Sequence, residues 1–286
     1  MKGIVLAGGT GSRLWPITRS ISKQLLPVYD KPMIYYPIST LMLAGIREIL
    51  IITTPHDQSQ FKELLGDGSE LGVSFQYATQ LEPKGLAQAF TIGEEFLAGD
   101  TCLMILGDNI FHGAGLGRDI ISELPTSGAH IFTYEVANPA DYGILETNQD
   151  GKPISITEKP NEFISNLAVT GVYFFDGKVS EIAKNVQLSK RGELEITSVI
   201  EHYLNSDSLT FTRLSRGAAW LDTGNPDSLN DAAAYVKIIE DRTGLKIACL
   251  EEISYSQGWI SEIQLRSKVN SMGKNQYARY LSRLID

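Results

Sequence analysis

The chain opens with a short apolar run that turns directly into a glycine-rich loop, and this junction limits the possible folds more than any other feature. Ile4 to Ala7 is apolar throughout, and Gly8 to Leu14 reads Gly-Gly-Thr-Gly-Ser-Arg-Leu. A buried strand that ends in glycines is typical of a βα unit, because glycines let backbone N–H groups approach an anion closely. Arg13 and Lys23 add full positive charge near that loop. The pattern therefore predicts a strand, a phosphate-binding loop and two cations that meet the phosphate.

Two better-known phosphate loops do not match this sequence. A P-loop requires Lys-Ser or Lys-Thr directly after its last glycine, whereas Gly11 is followed by Ser12 and Arg13. The dinucleotide fingerprint requires a third glycine where Leu14 stands. A glycine turn with a merely solvated Arg13 is the plain alternative, but Lys23 and the Pro27 that follows it favour a nucleotide site.

Length and charge set the class of protein. A chain of 286 residues can form one large α/β domain, or a domain with an appendage. Its net charge of -9 argues against a general nucleic-acid surface, which requires clustered Lys and Arg. Isolated cations in an acidic protein favour a small phosphorylated ligand.

The cysteines and apolar segments predict a cytoplasmic protein that binds no membrane. Cys102 and Cys249 lack Cys-x-x-Cys spacing, which favours reduced, buried side chains. The first apolar run is too short for a signal peptide, and no run approaches the ~20 residues of a membrane span. The four histidines are scattered, so a histidine metal site has little support.

Strand-like and helix-like segments alternate in the N-terminal half, which predicts βαβ units. The middle of the chain adds further strands separated by turn residues, so we expect a mixed, mostly parallel central sheet in a Rossmann-like three-layer α/β/α fold. The predicted strands are 4–7, 48–53, 73–77, 101–106, 130–136, 143–147, 154–157, 168–175 and 209–214. The predicted helices are 32–44, 58–65, 85–97, 193–204 and 227–242, the last ending at Gly244.

The chain is predicted to contain a catalytic domain, residues 1–226, and a C-terminal helical extension, residues 227–286. No repeat, low-complexity stretch or linker separates them. In open α/β sheets ligands bind beyond the carboxyl ends of the strands, so we expect the chemistry to gather there.

Two aspartates are candidate magnesium ligands. Asp108 follows the apolar segment that ends at Gly107, and Asp222 follows Trp220-Leu221 and precedes Thr223-Gly224. Mg²⁺ prefers oxygen ligands and often binds one or two carboxylates together with substrate phosphates. An Asp that caps a turn is an equal alternative for Asp108 alone. The second carboxylate favours a shared Mg²⁺ site.

Two further segments suggest sugar and base contacts. Glu158 and Lys159 stand at a predicted strand end before Pro160, where the carboxylate can accept from sugar hydroxyls and the ammonium can meet a phosphate. A surface ion pair is the ordinary alternative. Gln80 carries a donor and an acceptor that suit the imide edge of a pyrimidine, and Gly85 allows close approach of the backbone, although a plain βα loop also fits.

These motifs together resemble the sugar-1-phosphate nucleotidyltransferases, and among them the family of glucose-1-phosphate thymidylyltransferases. The resemblance covers nearly the whole chain, and the order and number of its motifs make it specific. The motifs are Gly8 to Leu14, Lys23 to Pro27, Asp30 to Pro37, Gly107 to Asn109, Glu158 to Pro160, Arg191 to Thr197 and Trp220 to Gly224. Ser12 stands where the family commonly has Thr, and Trp15 where His or Arg is usual.

The resemblance implies transfer of the thymidylyl group of dTTP to α-D-glucose 1-phosphate, with Mg²⁺ as cofactor, as the first step of dTDP-rhamnose and polysaccharide biosynthesis. It implies catalytic roles for Arg13, Lys23, Asp108, Lys159 and Asp222, the two aspartates holding the metal. The implied nucleotide contacts are Leu6, Gly8, Gly9, Thr10, Gly11, Ser12, Arg13, Lys23, Gln24, Gln80, Gly85 and Asp108. The implied sugar-phosphate contacts are Asn109, Tyr142, Gly143, Glu158, Lys159 and Val169.

Alternatives remain within and outside this activity. UTP or another sugar 1-phosphate is the closest one, because thymine and uracil differ by one methyl, worth only ~1 kcal/mol. A non-catalytic nucleotide-sensing homologue need not retain all five reactive residues, whereas this chain has all of them. A NAD-binding oxidoreductase is disfavoured because Leu14 stands where the dinucleotide fingerprint requires glycine. The resemblance also implies a homotetramer and a nucleotide-sugar feedback effector.

Overall fold

The computed structural model describes residues 1–9 and 11–286, so the predicted nucleotide contact Thr10 lies outside the described residues. The strands are β1 Lys2–Ala7, β2 Pro27–Val28, β3 Lys31–Pro32, β4 Glu48–Thr53, β5 Ser74–Thr79, β6 Cys102–Leu106, β7 Asn109–His112, β8 Ala129–Glu135, β9 Gly143–Thr147, β10 Pro153–Glu158, β11 Leu167–Phe175, β12 Leu209–Arg213 and β13 Ala219–Asp222. The α-helices are α1 Tyr35–Leu43, α2 Gln58–Leu65, α3 Gln88–Ile92, α4 Glu94–Leu97, α5 Leu116–Ser122, α6 Val179–Lys184, α7 Ile196–Asn205, α8 Pro226–Thr243, α9 Leu250–Ser256, α10 Glu262–Ser271 and α11 Gln276–Ser282.

The central sheet is mixed. Its main path runs β10-β9-β11-β6-β1-β4-β5, and β8 pairs with both β11 and β12. Strands β6, β1, β4 and β5 are parallel, whereas β11 is antiparallel to β6. This arrangement confirms the predicted α/β fold. It also places the carboxyl ends of β1, β4, β5 and β6 at one edge of the sheet.

Alternation along β1 explains why helices cover both faces of the sheet. Val5 and Ala7 pack into one core cluster with residues of α1, α2 and α9, while Ile4 and Leu6 pack into another with residues of α3, α6 and α7. Side chains point to opposite faces at successive strand positions, so a strand that is apolar throughout must be buried on both sides. The result is a three-layer α/β/α arrangement.

Helix boundaries differ from the sequence-based ones at three places, and the helix predicted over 193–204 begins only at Ile196 because Leu194 pairs with Lys84. The segment predicted as one helix over 85–97 forms only α3 and α4, because Gly85 has a φ of +114° and the turn before α3 pairs with Leu194, whose carbonyl accepts from the Ala87 N–H at 3.1 Å. The helix predicted over 32–44 begins at Tyr35, because residues 31–32 form the short antiparallel pair β2–β3. Each difference comes from pairing with a distant or adjacent segment, which periodicity does not contain.

Helices α8 to α11 make up the C-terminal part of the chain. Helix α8 starts with a capping box between Asn225 and Ser228 and ends, as predicted, at Gly244, which has a φ of +69°. Its apolar side packs on the β2–β3 hairpin through Val236, Val28 and Met33. Among the described residues, none of the helices combines the length and apolar character needed to span a bilayer. The domain boundary at residue 226 stays a prediction.

Candidate active site

A cleft of about 420 Å³ lies at the carboxyl edge of the parallel strands. It gathers side chains that are far apart in the sequence, including the ends of β1 and β6 and the turn after β10. The predicted site residues that line it are Leu6, Gly9, Arg13, Lys23, Gln24, Gln80, Gly85, Asp108, Asn109, Tyr142, Gly143, Glu158, Lys159, Val169 and Asp222. The structure therefore brings the predicted nucleotide, sugar and metal residues to one place, while their individual roles stay predictions.

Of the predicted nucleotide contacts that the structure describes, three do not line this cleft: Gly8, Gly11 and Ser12. Gly8 lies against Gln80, since a Cβ there would sit 2.2 Å from Gln80 Oε1. Gly11 has a φ of +63°, its carbonyl accepts a hydrogen bond of 2.8 Å from the Thr18 hydroxyl, and Ser12 begins a short 3₁₀ helix. These residues shape the loop, and their predicted contacts with phosphate stay untested.

Asp108 lies in the turn between β6 and β7 and is buried. Its Oδ2 forms an ion pair with Lys23 Nζ, and its Oδ1 accepts a hydrogen bond of 3.1 Å from Asn109 Nδ2. Burial alone would raise the pKa of this carboxyl, but the charge and hydrogen bond of Lys23 hold it below its ordinary value. Asp108 is therefore ionised at neutral pH, and Lys23 is its direct counter-ion.

Asp222 ends strand β13, which is antiparallel to β7 and pairs Asp222 with Asn109. This small two-stranded sheet places Asp222 next to Asp108, a contact that sequence separation conceals. Burial and then the negative charge of Asp108 raise the pKa of Asp222 to about 6, against the lowering effects of Lys23 and Arg13. The two carboxylates thus repel each other and are only partly neutralised by the cations beside them.

Arg13 approaches the same carboxylate pair. A Cβ on Gly224 would lie 2.8 Å from an Arg13 guanidinium nitrogen, so the absence of a side chain at Gly224 leaves room for the guanidinium. Arg13 also contributes to the electrostatics of Asp222. Because Arg13 is exposed to the cleft, it remains able to bind an anion.

Trp220 and Asn109 form a polar connection beside the aspartates. The indole N–H of Trp220 donates a hydrogen bond of 2.6 Å to Asn109 Oδ1, which turns the amide nitrogen of Asn109 towards Asp108. A Cβ on Gly171 would lie 2.5 Å from Asn109 Oδ1, so glycine is required there for the amide to fit. The Trp220 ring also packs against Tyr142, with ring centroids 5.1 Å apart.

An acidic group with one arginine also lines the cleft. Nη1 of Arg191 is 3.4 Å from both Glu158 Oε1 and Glu195 Oε1, and Glu193 lies 3.5 Å from Nη2. Burial and the charge of Glu195 raise the pKa of Glu158, partly opposed by Lys159 and Arg191. This group thus combines hydrogen-bond acceptors with the positive charge of Arg191.

Lys159 has an unusual backbone. Its φ is +44°, in the left-handed region that a residue with a side chain rarely adopts, and its N–H donates to the Tyr142 carbonyl at 3.0 Å. Local strain of this kind is common at functional sites, where the surrounding structure holds it in place. The side chain is exposed and lines the cleft.

The segment that carries Gln80 and Gly85 forms one wall of the cleft. Gln80 is buried, and its Nε2 donates to Gln88 Oε1 at 2.7 Å and to the Gly85 carbonyl at 3.2 Å. Gly85 has a φ of +114°, and a Cβ there would lie 2.4 Å from the Leu194 carbonyl oxygen. Only glycine fits this close backbone approach.

Sequence reasoning did not assign roles to several residues that line the cleft. The most informative of these are Arg191, Glu195, Thr197 and Trp220. All four lie in motifs that carry the family resemblance, so the signal was present without an assignable chemistry. The contacts of Arg191 with Glu158 and of Trp220 with Asn109 become visible only when the chain is folded.

The donor set at the aspartate pair fits Mg²⁺. No group of three or more His, Cys, Asp or Glu side chains that could hold a metal ion occurs within residues 1–9 and 11–286. Two adjacent carboxylates that repel each other nevertheless match an ion that takes one or two carboxylates and completes its ligands with phosphate oxygens and water. The arrangement is therefore suited to a metal that arrives with a phosphorylated substrate.

Comparisons with known proteins agree with this geometry. The family model described as nucleotidyl transferase matches residues 2–237. The chain is 53% identical to a glucose-1-phosphate thymidylyltransferase of Neisseria meningitidis over 286 residues, covering 100% of this chain and 99% of the relative. It is also 53% identical to one of Mycobacterium tuberculosis over 286 residues, with the same coverage.

Solved structures give the same result. A Bacillus anthracis protein, assigned provisionally as a glucose-1-phosphate thymidylyltransferase and crystallised with sucrose, superposes with a TM-score of 0.76 at 41% identity, covering 82% of this chain and 94% of that one. A UDP-glucose pyrophosphorylase in complex with UDP-glucose gives a TM-score of 0.74 at 25% identity, covering 83% of this chain and 98% of that one.

Proposed function

The chain belongs to the nucleotidyl transferase family, and we propose that it transfers the thymidylyl group of dTTP to α-D-glucose 1-phosphate. The products are dTDP-glucose and pyrophosphate. In the cell this reaction supplies an activated glucose for deoxysugar, rhamnose and polysaccharide synthesis.

The observation that carries the proposal is that one cleft holds the three predicted catalytic cations together with two adjacent carboxylates. Arg13, Lys23 and Lys159 line the cleft that Asp108 and Asp222 also line. A reaction between two phosphate-bearing substrates requires positive charge for both, whereas a site for one sugar or one base does not. Relatives about 53% identical over their full length carry the name of this activity.

Arg13, Lys23 and Gly9 form the triphosphate side of the cleft. Arg13 binds the triphosphate and the departing pyrophosphate through a guanidinium that lies over Gly224. Lys23, which is the counter-ion of Asp108, serves the α-phosphate from the same position. Gly9 offers its backbone N–H to a phosphate oxygen, in keeping with its position in the cleft.

Lys159 and Arg191 form the sugar-phosphate side. Lys159 meets the phosphate of glucose 1-phosphate as a point charge, and Arg191 lies beside Glu158. Glu158 accepts from sugar hydroxyls, with Asn109, Tyr142, Gly143 and Val169 around the ring. The raised pKa of Glu158 reflects burial that binding of the hydroxyls would offset.

The chemistry is a direct in-line displacement at the α-phosphorus. The phosphate oxygen of glucose 1-phosphate is already an anion, so no general base is required and the residues only align the two substrates and neutralise charge. Among the described residues that line the cleft, none is His or Cys, in agreement with this mechanism. A bond forms between the phosphate oxygen of glucose 1-phosphate and the α-phosphorus of dTTP. The bond between the α-phosphorus and the oxygen that bridges to the β-phosphate breaks, and pyrophosphate leaves.

Asp108 and Asp222 hold Mg²⁺ in this proposal. When bound, the ion supplies positive charge to the α-phosphate and so favours attack. The protein's own contribution is to hold the two carboxylates next to each other and, through Lys23, to oppose the effect of burial on Asp108.

Gln80 and Gly85 read the base. The amide nitrogen of Gln80 donates hydrogen bonds to Gln88 Oε1 and to the Gly85 carbonyl. The amide oxygen, Oε1, then accepts a hydrogen bond from the imide N–H of the pyrimidine. Uracil presents the same imide, and Leu6 adds apolar surface in the cleft. Preference for thymine therefore depends on contact with a single methyl, worth ~1 kcal/mol.

Several wider predictions are retained as part of the proposal. These are a catalytic unit of residues 1–226 with the extension 227–286, a homotetramer, a nucleotide-sugar feedback effector and a cytoplasmic location. Cys102 and Cys249 are free and buried, which is compatible with a reducing environment.

One experiment tests the activity. Purified protein with Mg²⁺ is given a matrix of nucleoside triphosphates and sugar 1-phosphates, and pyrophosphate release is measured. We expect the highest rate with dTTP and glucose 1-phosphate. If this pair releases no pyrophosphate while another pair, such as UTP and glucose 1-phosphate, clearly does, the proposed substrates are wrong and the reactive pair takes their place.

A further inference from the structure

Thr223 lies directly after Asp222 and does not line the cleft. It is fully buried, with 0% of its surface exposed. Its hydroxyl donates a hydrogen bond of 2.7 Å to the backbone carbonyl of Asp108, and its own backbone N–H donates to the same oxygen at 3.2 Å. One residue therefore makes two hydrogen bonds to the backbone of one aspartate while being covalently joined to the other.

The hydrogen bonds from Thr223 to Asp108 lie just beyond the end of a strand pair. Asp108 lies in the turn between β6 and β7, outside the strand ladders, and Asp222 is the last residue of β13. The pairing of β13 with β7 ends at Asp222 and Asn109. Beyond that point the two chain segments are held together by the hydrogen bonds from Thr223 to Asp108.

The two carboxylates need such a connection because they repel each other. The charge of Asp108 acts directly on Asp222, since Asp108 is buried and Asp222 is half-buried beside it at the cleft. A buried hydroxyl has no competing water, so its hydrogen bond to the carbonyl is retained.

We propose that Thr223 is a positioning residue that fixes the spacing of the Asp108 and Asp222 carboxylates through its two hydrogen bonds to the Asp108 carbonyl. The inference rests on the proposed function, in which these carboxylates hold a divalent cation during transfer. Thr223 touches neither substrate, and its effect on the reaction passes entirely through the two aspartates.

The Thr223→Ser and Thr223→Ala variants form a matched pair. Both variants lose the γ-methyl group of threonine. Only the alanine variant also loses the hydroxyl. We expect the serine variant to keep a turnover close to that of the unaltered protein. The alanine variant should lose about 10- to 100-fold in kcat, since small displacements of a catalytic group have effects of that size. KM for both substrates should change little, because the residue lies outside the cleft.

A second measurement does not depend on turnover. Mn²⁺ alone is titrated into each full-length variant and the free ion is followed by electron paramagnetic resonance. We expect the alanine variant to bind Mn²⁺ several-fold more weakly than the serine variant. If the alanine variant does not fold, as judged by circular dichroism, Thr223→Val replaces it, since valine keeps the volume of threonine and lacks its hydroxyl.

The outcomes separate the two proposals. If the unaltered protein transfers the thymidylyl group but the serine and hydroxyl-lacking variants have equal kcat, the role of Thr223 is refuted and the function stands. If the unaltered protein releases no pyrophosphate with dTTP and glucose 1-phosphate, the proposed reaction fails and Mn²⁺ binding alone decides: equal affinity refutes the role of Thr223, and weaker binding without the hydroxyl supports it.

Discussion

Replacing Asp222 by asparagine is expected to make the protein more stable and nearly inactive. In the folded chain, burial and the charge of Asp108 raise the pKa of Asp222 from its ordinary value of 3.8 to about 6. The folded state therefore disfavours the ionised carboxylate at neutral pH. Asparagine has nearly the same shape and no charge, so the variant removes that unfavourable term and leaves the fold in place.

The magnitude follows from the pKa change. Moving a carboxyl pKa from 3.8 to about 6 weakens the folded state at neutral pH by about 3 kcal/mol relative to a group that does not titrate. The stabilising effect of the protonated form is fully present below pH 3.8 and is lost as the pH rises through about 6. The Asp222→Asn variant should thus gain up to about 3 kcal/mol at pH 7.5 and only about 1 kcal/mol at pH 4.5.

Asp108 provides a contrast of opposite sign. Its pKa is held below the ordinary value because Lys23 outweighs burial. Asp108→Asn would leave the Lys23 ammonium, whose side chain is only 12% exposed, without its direct counter-ion, so this variant should be less stable at neutral pH. Both variants should lose at least about 100-fold in turnover, since each removes one carboxylate of the metal pair.

Urea unfolding at pH 7.5 and pH 4.5, followed by circular dichroism, measures these free energies. Asp231→Asn on the exposed face of α8 serves as the control and should change stability by only a few tenths of a kcal/mol at either pH. A less stable Asp222→Asn variant at pH 7.5, or a gain that is equal at both pH values, would refute the electrostatic argument. Near-normal turnover of both aspartate variants at ordinary Mg²⁺ would refute the metal site.

Three further variants test other parts of the cleft. Lys159→Ala should raise KM for glucose 1-phosphate by about tenfold or more while KM for dTTP changes little, and steady-state kinetics showing no change in the sugar-phosphate KM would contradict its role. Gly85→Ala should reduce stability and activity, because the added Cβ would lie 2.4 Å from a backbone oxygen. The control Gly151→Ala has no atom within 4 Å of the added Cβ and should show only the smaller effect of a positive φ. Equal losses of the two variants in thermal unfolding would show that the close contact is unimportant. Trp220→Phe should cost about 1–3 kcal/mol and lower kcat, since it leaves the buried Asn109 carbonyl without its donor, and an unchanged urea midpoint would exclude this hydrogen bond as a contributor.

The strands and the residues at their ends could be predicted from the sequence because burial leaves a local pattern. Ile4 to Ala7 must be covered on both faces, and that requirement alone indicates a central strand of an α/β sheet. The glycines after it and the lone cations in an acidic chain then indicate a phosphate site. Helix α8 was predictable for a similar reason, since its start, its apolar spacing and Gly244 are all local signals.

The pairing of Asp108 with Asp222 could be suggested from the sequence, but the sequence does not contain what holds the pair together. Strand β13 is only four residues long and pairs with another short strand, β7, more than a hundred positions earlier. Segments this short carry too little periodicity to identify a partner. The same holds for Arg191, whose three carboxylate neighbours come from a strand end and a loop.

By itself, the sequence determined the fold class, the family and the types of residue that the chemistry requires, because apolar patterning and ordered motifs are properties of the chain. The tertiary structure decided which charges meet. Lys23 becomes the counter-ion of Asp108, Asp222 acquires a raised pKa beside it, and Thr223 connects the two segments. Electrostatic and hydrogen-bond energies depend on distance and burial in space, and neither quantity exists until the chain has folded.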